Sequence, residues 1–151
     1  MAVPVVGLGA GGHAKVVIEI LRQDSRYELT GLLDPKPELA GKSVSGVPVV
    51  GGDDSLAELK ARGTNHFFIG LGSVPHPGPR KRLYLLAREK GLKPVSAIHP
   101  KSVIAPSADL GPGATVMAAA VINAEACLGE NVIVNTGAII EHDCRIGDHV
   151  H

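Results

Sequence analysis

The segment Asn135-Thr136-Gly137-Ala138-Ile139-Ile140-Glu141-His142-Asp143-Cys144 sets one imidazole between two carboxylates. Imidazole titrates near pH 6.5, and an adjacent carboxylate raises its basicity, so His142 with Asp143 has the makings of a general base. A solvent histidine flanked by acids is also an ordinary surface feature, and the spacing leaves both alternatives open. A second constellation opens the chain. Gly7-Leu8-Gly9-Ala10-Gly11-Gly12-His13 follows an apolar run and precedes a helical pattern. Glycines there let backbone N–H groups approach a phosphate at a helix N-terminus. The pattern is near, but not cleanly, a dinucleotide fingerprint. Asp34 ends the next apolar run, where an acid can reach a ribose or base; a tight turn with a structural aspartate is the alternative. Gly70-Leu71-Gly72-Ser73 closes a further run and forms either a pocket floor or a simple turn. His13 is placed to touch a ligand or to cap the helix. His149 and His151 form an i, i+2 pair, but nothing near them supplies a third metal ligand, and no metal is expected. His66, His76 and His99 carry no constellation.

These residues need a scaffold, and two periodicities supply it. In the front half short apolar runs alternate with amphipathic stretches. Val3 to Leu8 reads as a buried strand, and Gly12 to Leu21 as a helix with Val16, Val17, Ile20 and Leu21 on one side. Leu29 to Leu33, Val47 to Val50, His66 to Leu71 and Pro94 to Ile98 read as strands. Asp53 and Asp54 precede a cap and first turn at Ser55 to Leu59. Arg80 to Lys90 reads as a helix with Leu83, Leu86 and Ala87 inward, stopped by Gly91. Strands alternating with helices predict a parallel sheet with covering helices, a Rossmann-like domain over residues 1–97.

From Ile98 onward the period becomes six. Ile98, Ile104, Leu110, Val116, Ile122, Leu128, Val134, Ile140 and Ile146 recur without a miss. Four residues after each stands Ser102, Ala108, Ala114, Ala120, Ala126, Val132, Ala138, Cys144 or Val150. The reading is a triangular parallel β-helix over residues 98–151, about three coils, with all nine aliphatics buried. Each contributes roughly 1.5–3 kcal/mol of burial. Ile140 then points inward, and Glu141, His142 and Asp143 lie on the outer strand face of their hexad. His99-Pro100 marks the junction. Cys127 faces outward, and Cys144 fills a small-residue position.

Composition bounds the partners. The 151 residues carry 15 basic and 15 acidic side chains, so no basic excess exists to bind nucleic acid or an anionic membrane. No apolar run nears the ~20 residues of a membrane span, and the first twelve residues lack a signal peptide's basic start. Two cysteines make no disulfide framework, which fits a reducing, cytoplasmic setting. Aromatic residues are 3% of the chain, so the core must be built from Val, Ile, Leu and Ala.

Taken together, Gly9-Ala10-Gly11-Gly12-His13-Ala14-Lys15-Val16-Val17, Ile98-His99-Pro100 and the Asn135 to Cys144 segment resemble the sialic-acid-type sugar O-acyltransferase family. That family includes UDP-4-amino-sugar N-acetyltransferases and sialic acid O-acetyltransferases. The resemblance implies a left-handed β-helix, a homotrimer, acetyl-CoA as donor and a UDP-sugar or related sugar as acceptor. It assigns His142 as catalytic base, Asp143 as the acid that raises its basicity and His151 as an acetyl-CoA contact. Gly11, Gly12 and His13 match the substrate loop, Asp34 a uridine contact and Gly72 a pocket glycine. Family members run several coils past the position of His151, and the expectation is that such coils complete the acyl-CoA site. Two other classes are alternatives. An NAD-dependent oxidoreductase leaves the hexads unexplained and offers one mononucleotide half where a dinucleotide needs two. A non-catalytic nucleotide-sugar-binding or trimeric scaffold lacking a complete donor site is the other.

Overall fold

A computed structural model describes residues 1–151. The chain begins with β1 (Val3–Leu8), α1 (Gly12–Leu21) and β2 (Tyr27–Leu33), then a hairpin of β3 (Ser43–Val44) and β4 (Val47–Gly51). After a 3-10 turn at Asp53–Ser55 come α2 (Leu56–Ala61), β5 (His66–Ile69), α3 (Gly78–Glu89) and β6 (Lys93–Pro94). The sheet order is β3-β4-β2-β1-β5-β6, parallel except for the hairpin pair. Val5, Leu32 and Phe68 pack under α1 on one face, while Val6, Leu8, Leu33 and Phe67 pack under α3 on the other.

Both helices turn differently from the pattern predicted. On α1, Val17, Ile18, Ile20 and Leu21 are buried, and Val16 is exposed. On α3 the inward stripe is Arg80, Leu83, Tyr84 and Ala87, with Leu86 only half-buried. The i, i+3, i+4, i+7 spacing from Arg80 is a regular helical face; a charged residue at its head hid it. Ser55 makes no side-chain cap for α2, because the 3-10 turn before it already feeds the helix.

The chain changes sheet within three residues. Val95 N–H donates to Phe67 of the front sheet, and Ala97 N–H donates to Ala114 of the solenoid. Ala97 therefore belongs to the first coil rather than to a last front-domain strand. Nine two-residue strands follow at a spacing of six: β7 (Ala97–Ile98), β8 (Val103–Ile104), β9 (Asp109–Leu110), β10 (Thr115–Val116), β11 (Val121–Ile122), β12 (Cys127–Leu128), β13 (Ile133–Val134), β14 (Ile139–Ile140) and β15 (Arg145–Ile146). They stack as three parallel sheets, β7-β10-β13, β8-β11-β14 and β9-β12-β15, each strand eighteen residues from its neighbour. This is the expected left-handed β-helix behind a Rossmann-like domain.

Both six-residue columns line the interior. Val116, Ile122 and Leu128, on the central strands, and Val134, on the end strand β13, are buried, whereas Ile104, Leu110, Ile140 and Ile146 are half-buried and Ile98 is exposed. The expectation of nine buried aliphatics fails at five positions in the outer coils, where a neighbouring coil covers the side chain on one side only; Val134 stays buried because the chain returns over its strand, with Ile133 N–H donating to Val150.

A third column became visible only in the structure. Gly113, Ala119, Glu125, Asn131, Gly137, Asp143 and His149, again six apart, all have positive φ. They are the corners of the triangle. Ala97, Thr115 and Ile133, which face out from the first sheet, are buried, and Ala97 packs into the front-domain core by α1. Val103 and Ile139 on the second sheet are exposed, with Val121 between them half-buried. The third sheet shows Asp109, Cys127 and Arg145.

Candidate functional site

β1 has β2 on one side and β5 on the other, so the sheet reverses direction at β1. Open α/β sheets hold ligands beyond the C-terminal strand ends at such a point. The loops Gly9–His13 and Gly70–Ser73 emerge together there. Their glycines divide into two kinds. Gly9 has φ +97°, and a Cβ on Gly70 would strike the Gly9 carbonyl oxygen, so these two let the loops touch. A Cβ on Gly11 or Gly12 meets nothing within 4 Å, and no side chain caps α1. The second kind borders open space at uncapped helix amides, the condition for an anion to approach backbone.

Asp34 holds this loop. Its Oδ2 accepts from Ala10 N–H at 3.0 Å, and its Oδ1 accepts from Lys36 N–H at 3.0 Å. Ala10 thereby lies tied to the end of β2, which is the structural alternative weighed for this residue. The half-buried carboxylate also borders a cavity of about 240 Å³ shared with Lys36, Asp53 and Arg82.

His13 stands on the first turn of α1 beside Gly72, in a cavity of about 260 Å³ with Gly11 and Gly12. Its Nε2 is buried without a partner. Burial, then the Arg80 guanidinium and His151, lower its pKa to about 4. It is neutral at pH 7. Arg80, which sequence reasoning passed over, is 1% exposed and has no carboxylate partner. Its Nη1 donates to the carbonyls of Leu71 at 2.8 Å and Ile69 at 3.3 Å, pinning the loop after β5. Burial pulls its pKa down to about 10.

The third coil meets this loop across a cavity of about 540 Å³, lined by Ser73 and Lys81 from the front domain and by Asp148, His149 and His151 from the coil. Tyr84 locks the two parts together. It is 1% exposed, donates to Glu130 Oε2 at 2.8 Å, and sets its ring edge-on to His149 at 5.5 Å.

His142 and Asp143 are the second group of candidate residues. They are adjacent residues in a turn at a corner, rather than on a strand face as expected. His142 Nδ1 lies 2.6 Å from Asp143 Oδ2, and His142 is fully solvent-exposed at that corner. The hydrogen bond that His142 donates to Asp143, the charge of that carboxylate and then Glu141 raise the histidine pKa above its ordinary value. Asn123 donates to Glu141 at 3.1 Å and holds that carboxylate against the coil below. Asp143 belongs to the corner between the second and third sheets, which is opposite the face the front domain covers. Six residues, at most roughly 20–22 Å of extended chain, part it from the corner at His149. The structure thus brings Gly11, Gly12, His13, Gly72 and His151 together, with Asp34 beside them. His142 and Asp143 stand apart. No group of three or more His, Cys, Asp or Glu side chains converges as metal ligands, and no helix is long and apolar enough to cross a membrane.

Comparison with known proteins adds to this geometry. Residues 5–84 match the family described as the PglD N-terminal domain. The chain is 28% identical over 145 residues to the GDP-perosamine N-acetyltransferase of Escherichia coli O157:H7, spanning 94% of this chain and 63% of that protein. It is 42% identical to PerB from Caulobacter crescentus, solved in complex with CoA and GDP-perosamine, with a TM-score of 0.88 over 98% of this chain and 67% of that one. It is 34% identical to the acetyltransferase domain of PglB from Neisseria gonorrhoeae FA1090, solved with acetyl coenzyme A, with a TM-score of 0.88 over 100% of this chain and 70% of that one. The chain spans about two thirds of the length of these relatives.

Proposed function

The chain belongs to the family of the PglD N-terminal domain, and from that premise we propose that it works in an acetyl-CoA-dependent N-acetyltransferase acting on a nucleotide-linked amino sugar. The observation that carries the reading is the His142–Asp143 pair at 2.6 Å, exposed at a corner of the solenoid. With Nδ1 engaged by Asp143, Nε2 faces outward and is free to take a proton. The relatives named for GDP-perosamine favour an amine acceptor over a hydroxyl, and a GDP-sugar over the UDP-sugar implied by the sequence resemblance.

The front domain, residues 1–97, grips the nucleotide sugar. Its diphosphate lies against the open amides at Gly11, Gly12 and His13, with Gly72 on the pocket floor and the base towards Asp34. The β-helix, residues 98–151, carries the base. The sugar nitrogen attacks the thioester carbonyl carbon, the C–S bond breaks, and CoA leaves. The proton shed by nitrogen passes to His142 Nε2 and on to the departing sulfur. Asp143 orients the ring and stabilises the imidazolium, as a third group does in catalytic triads. His151 contacts the acyl donor. A cytoplasmic location follows, because both substrates are cytoplasmic metabolites.

One chain does not bring His142 to its own glycine loop. A homotrimer that packs the Val103, Val121 and Ile139 face against a neighbour supplies the remedy, since this face runs into the corner bearing His142. Exposed apolar patches of this kind mark interaction sites.

The test is acetyl transfer to a GDP-linked 4-amino sugar, followed as released thiol, in this chain and in a version extended to the length of the relatives. His142→Ala should lower turnover by roughly 10²–10⁴-fold, with nucleotide-sugar affinity little changed. A wild-type rate for that variant would mean the base lies elsewhere. Binding of both substrates without any transfer by the extended form would favour the scaffold alternative.

A further inference from the structure

His149 takes no part in the proposed acyl transfer. It stands at a left-handed corner, φ 62°, and its backbone N–H donates to Glu130 at 2.8 Å. Its ring is edge-on to Tyr84 at 5.5 Å, and its Nδ1 lies 2.9 Å from Asn131 Nδ2. Asn131 is completely buried. An amide nitrogen only donates, so Nδ1 is the acceptor and the imidazole proton sits on Nε2. This amide orientation leaves one buried oxygen, Asn131 Oδ1, unpaired; the reverse would strand two N–H groups, the costlier fault. Burial and then Lys81 lower the His149 pKa, consistent with a neutral ring.

The ring borders the cavity of about 540 Å³ between the two domains. Two buried donors near it lack partners. Ser73, 8% exposed, lines the cavity with an unpaired Oγ, and Arg80, 1% exposed, has an unpaired Nε. Lys81 also lines the cavity. The one acid there, Asp148, already accepts from Glu130 N–H at 2.9 Å. A buried guanidinium without a counter-ion, beside a cavity rich in donors, is a site short of an anion.

We infer that His149 donates its Nε2–H, alongside Ser73 and Lys81, to a phosphate oxygen of the ligand filling this cavity, with Arg80 as the buried counter-charge. His149 is a binding residue, set by Asn131 and Tyr84 rather than by the ligand. Which phosphate is bound rests on the acyl-transfer reading: it comes from the nucleotide-sugar diphosphate or from coenzyme A.

Calorimetric titrations of inorganic pyrophosphate, GDP and coenzyme A separate these sources. The proteins compared are wild type, His149→Phe and Ser73→Ala. Phenylalanine keeps a ring against Tyr84 and removes the donor. Loss of a hydrogen bond to a charged group should weaken binding by roughly tenfold or more. Weakening for pyrophosphate and GDP with coenzyme A unchanged assigns the site to the nucleotide sugar, and the converse assigns it to the acyl donor. A ligand-induced shift of the His149 Nε2 resonance should accompany either. If both variants bind all three as wild type does, or lose only thermal stability, the inference is overturned while the proposed function stands. Wild type binding none of them overturns both.

Discussion

His142 Nδ1 and Asp143 Oδ2 meet at 2.6 Å although the residues are neighbours in sequence, because Asp143 sits at a corner with φ +61°. Adjacent side chains on a strand point to opposite faces. A left-handed residue at a turn swings the carboxylate back beside the preceding ring. Aspartate tolerates that conformation better than most residues. The same aspartate therefore builds the corner and raises the basicity of His142.

The first prediction concerns pH. A raised histidine pKa means the free base appears only above the usual value of about 6.5. The kcat/KM profile should rise with pH through a midpoint above 6.5, and Asp143→Asn should move that midpoint downward. A titration of the His142 ring by NMR gives the same comparison without turnover. An unshifted midpoint in the variant would remove Asp143 from the mechanism.

The pKa of His13 is shifted the other way, and it bears on stability. Its folded pKa of about 4 lies below the unfolded value, so between these limits the unfolded chain binds more protons. Stability is fully present above about pH 6.5 and falls as pH drops towards 4, by up to about 3 kcal/mol. Urea titrations at a series of pH values should show this acid limb in wild type and a flatter one in His13→Gln. A limb of equal depth in both would assign it to other groups.

The apolar outer face of the second sheet gives an assembly prediction. Val103 and Ile139 are 63% and 64% exposed and flank Val121 in register. Sedimentation should find the wild-type chain trimeric and Ile139→Asp monomeric with its secondary structure intact. A monomeric wild type at micromolar concentration would leave His142 without a facing pocket.

Ala119 offers a stabilising change. It holds φ 59° at a corner, with Gly113 at the corner before it and Gly137 at the same corner one coil on. A left-handed non-glycine residue costs about 1–2 kcal/mol, partly offset by the larger unfolded-state entropy of glycine. Ala119→Gly should therefore gain roughly 0.5–1 kcal/mol by chemical denaturation. A loss would show that the alanine methyl is packed rather than strained.

Local sequence determined what depends on local period. The runs Val3–Leu8 and Gly12–Leu21 read as the strand and helix observed, and the two columns of the solenoid line its interior. A periodic apolar pattern carries its own geometry, because only one backbone form buries it. The glycine loop and the His142–Asp143 pair were legible for the same reason, as residue types at short range. Tertiary structure decided what depends on long-range approach. Gly9 and Gly70 separated from Gly11 and Gly12 only once two loops 60 residues apart came into contact. Tyr84 and Glu130 meet across 46 residues, and Arg80 is buried by strands and a coil that its own helix pattern does not foretell. The corner column escaped notice because left-handed φ is shared here by Gly, Asn, Asp, Ala, Glu and His. The six-residue hexad also does not say which vertex a residue occupies. Counting hexads from the face packed on the front domain gives that answer, and it puts His142 at the vertex opposite the pocket it is proposed to serve.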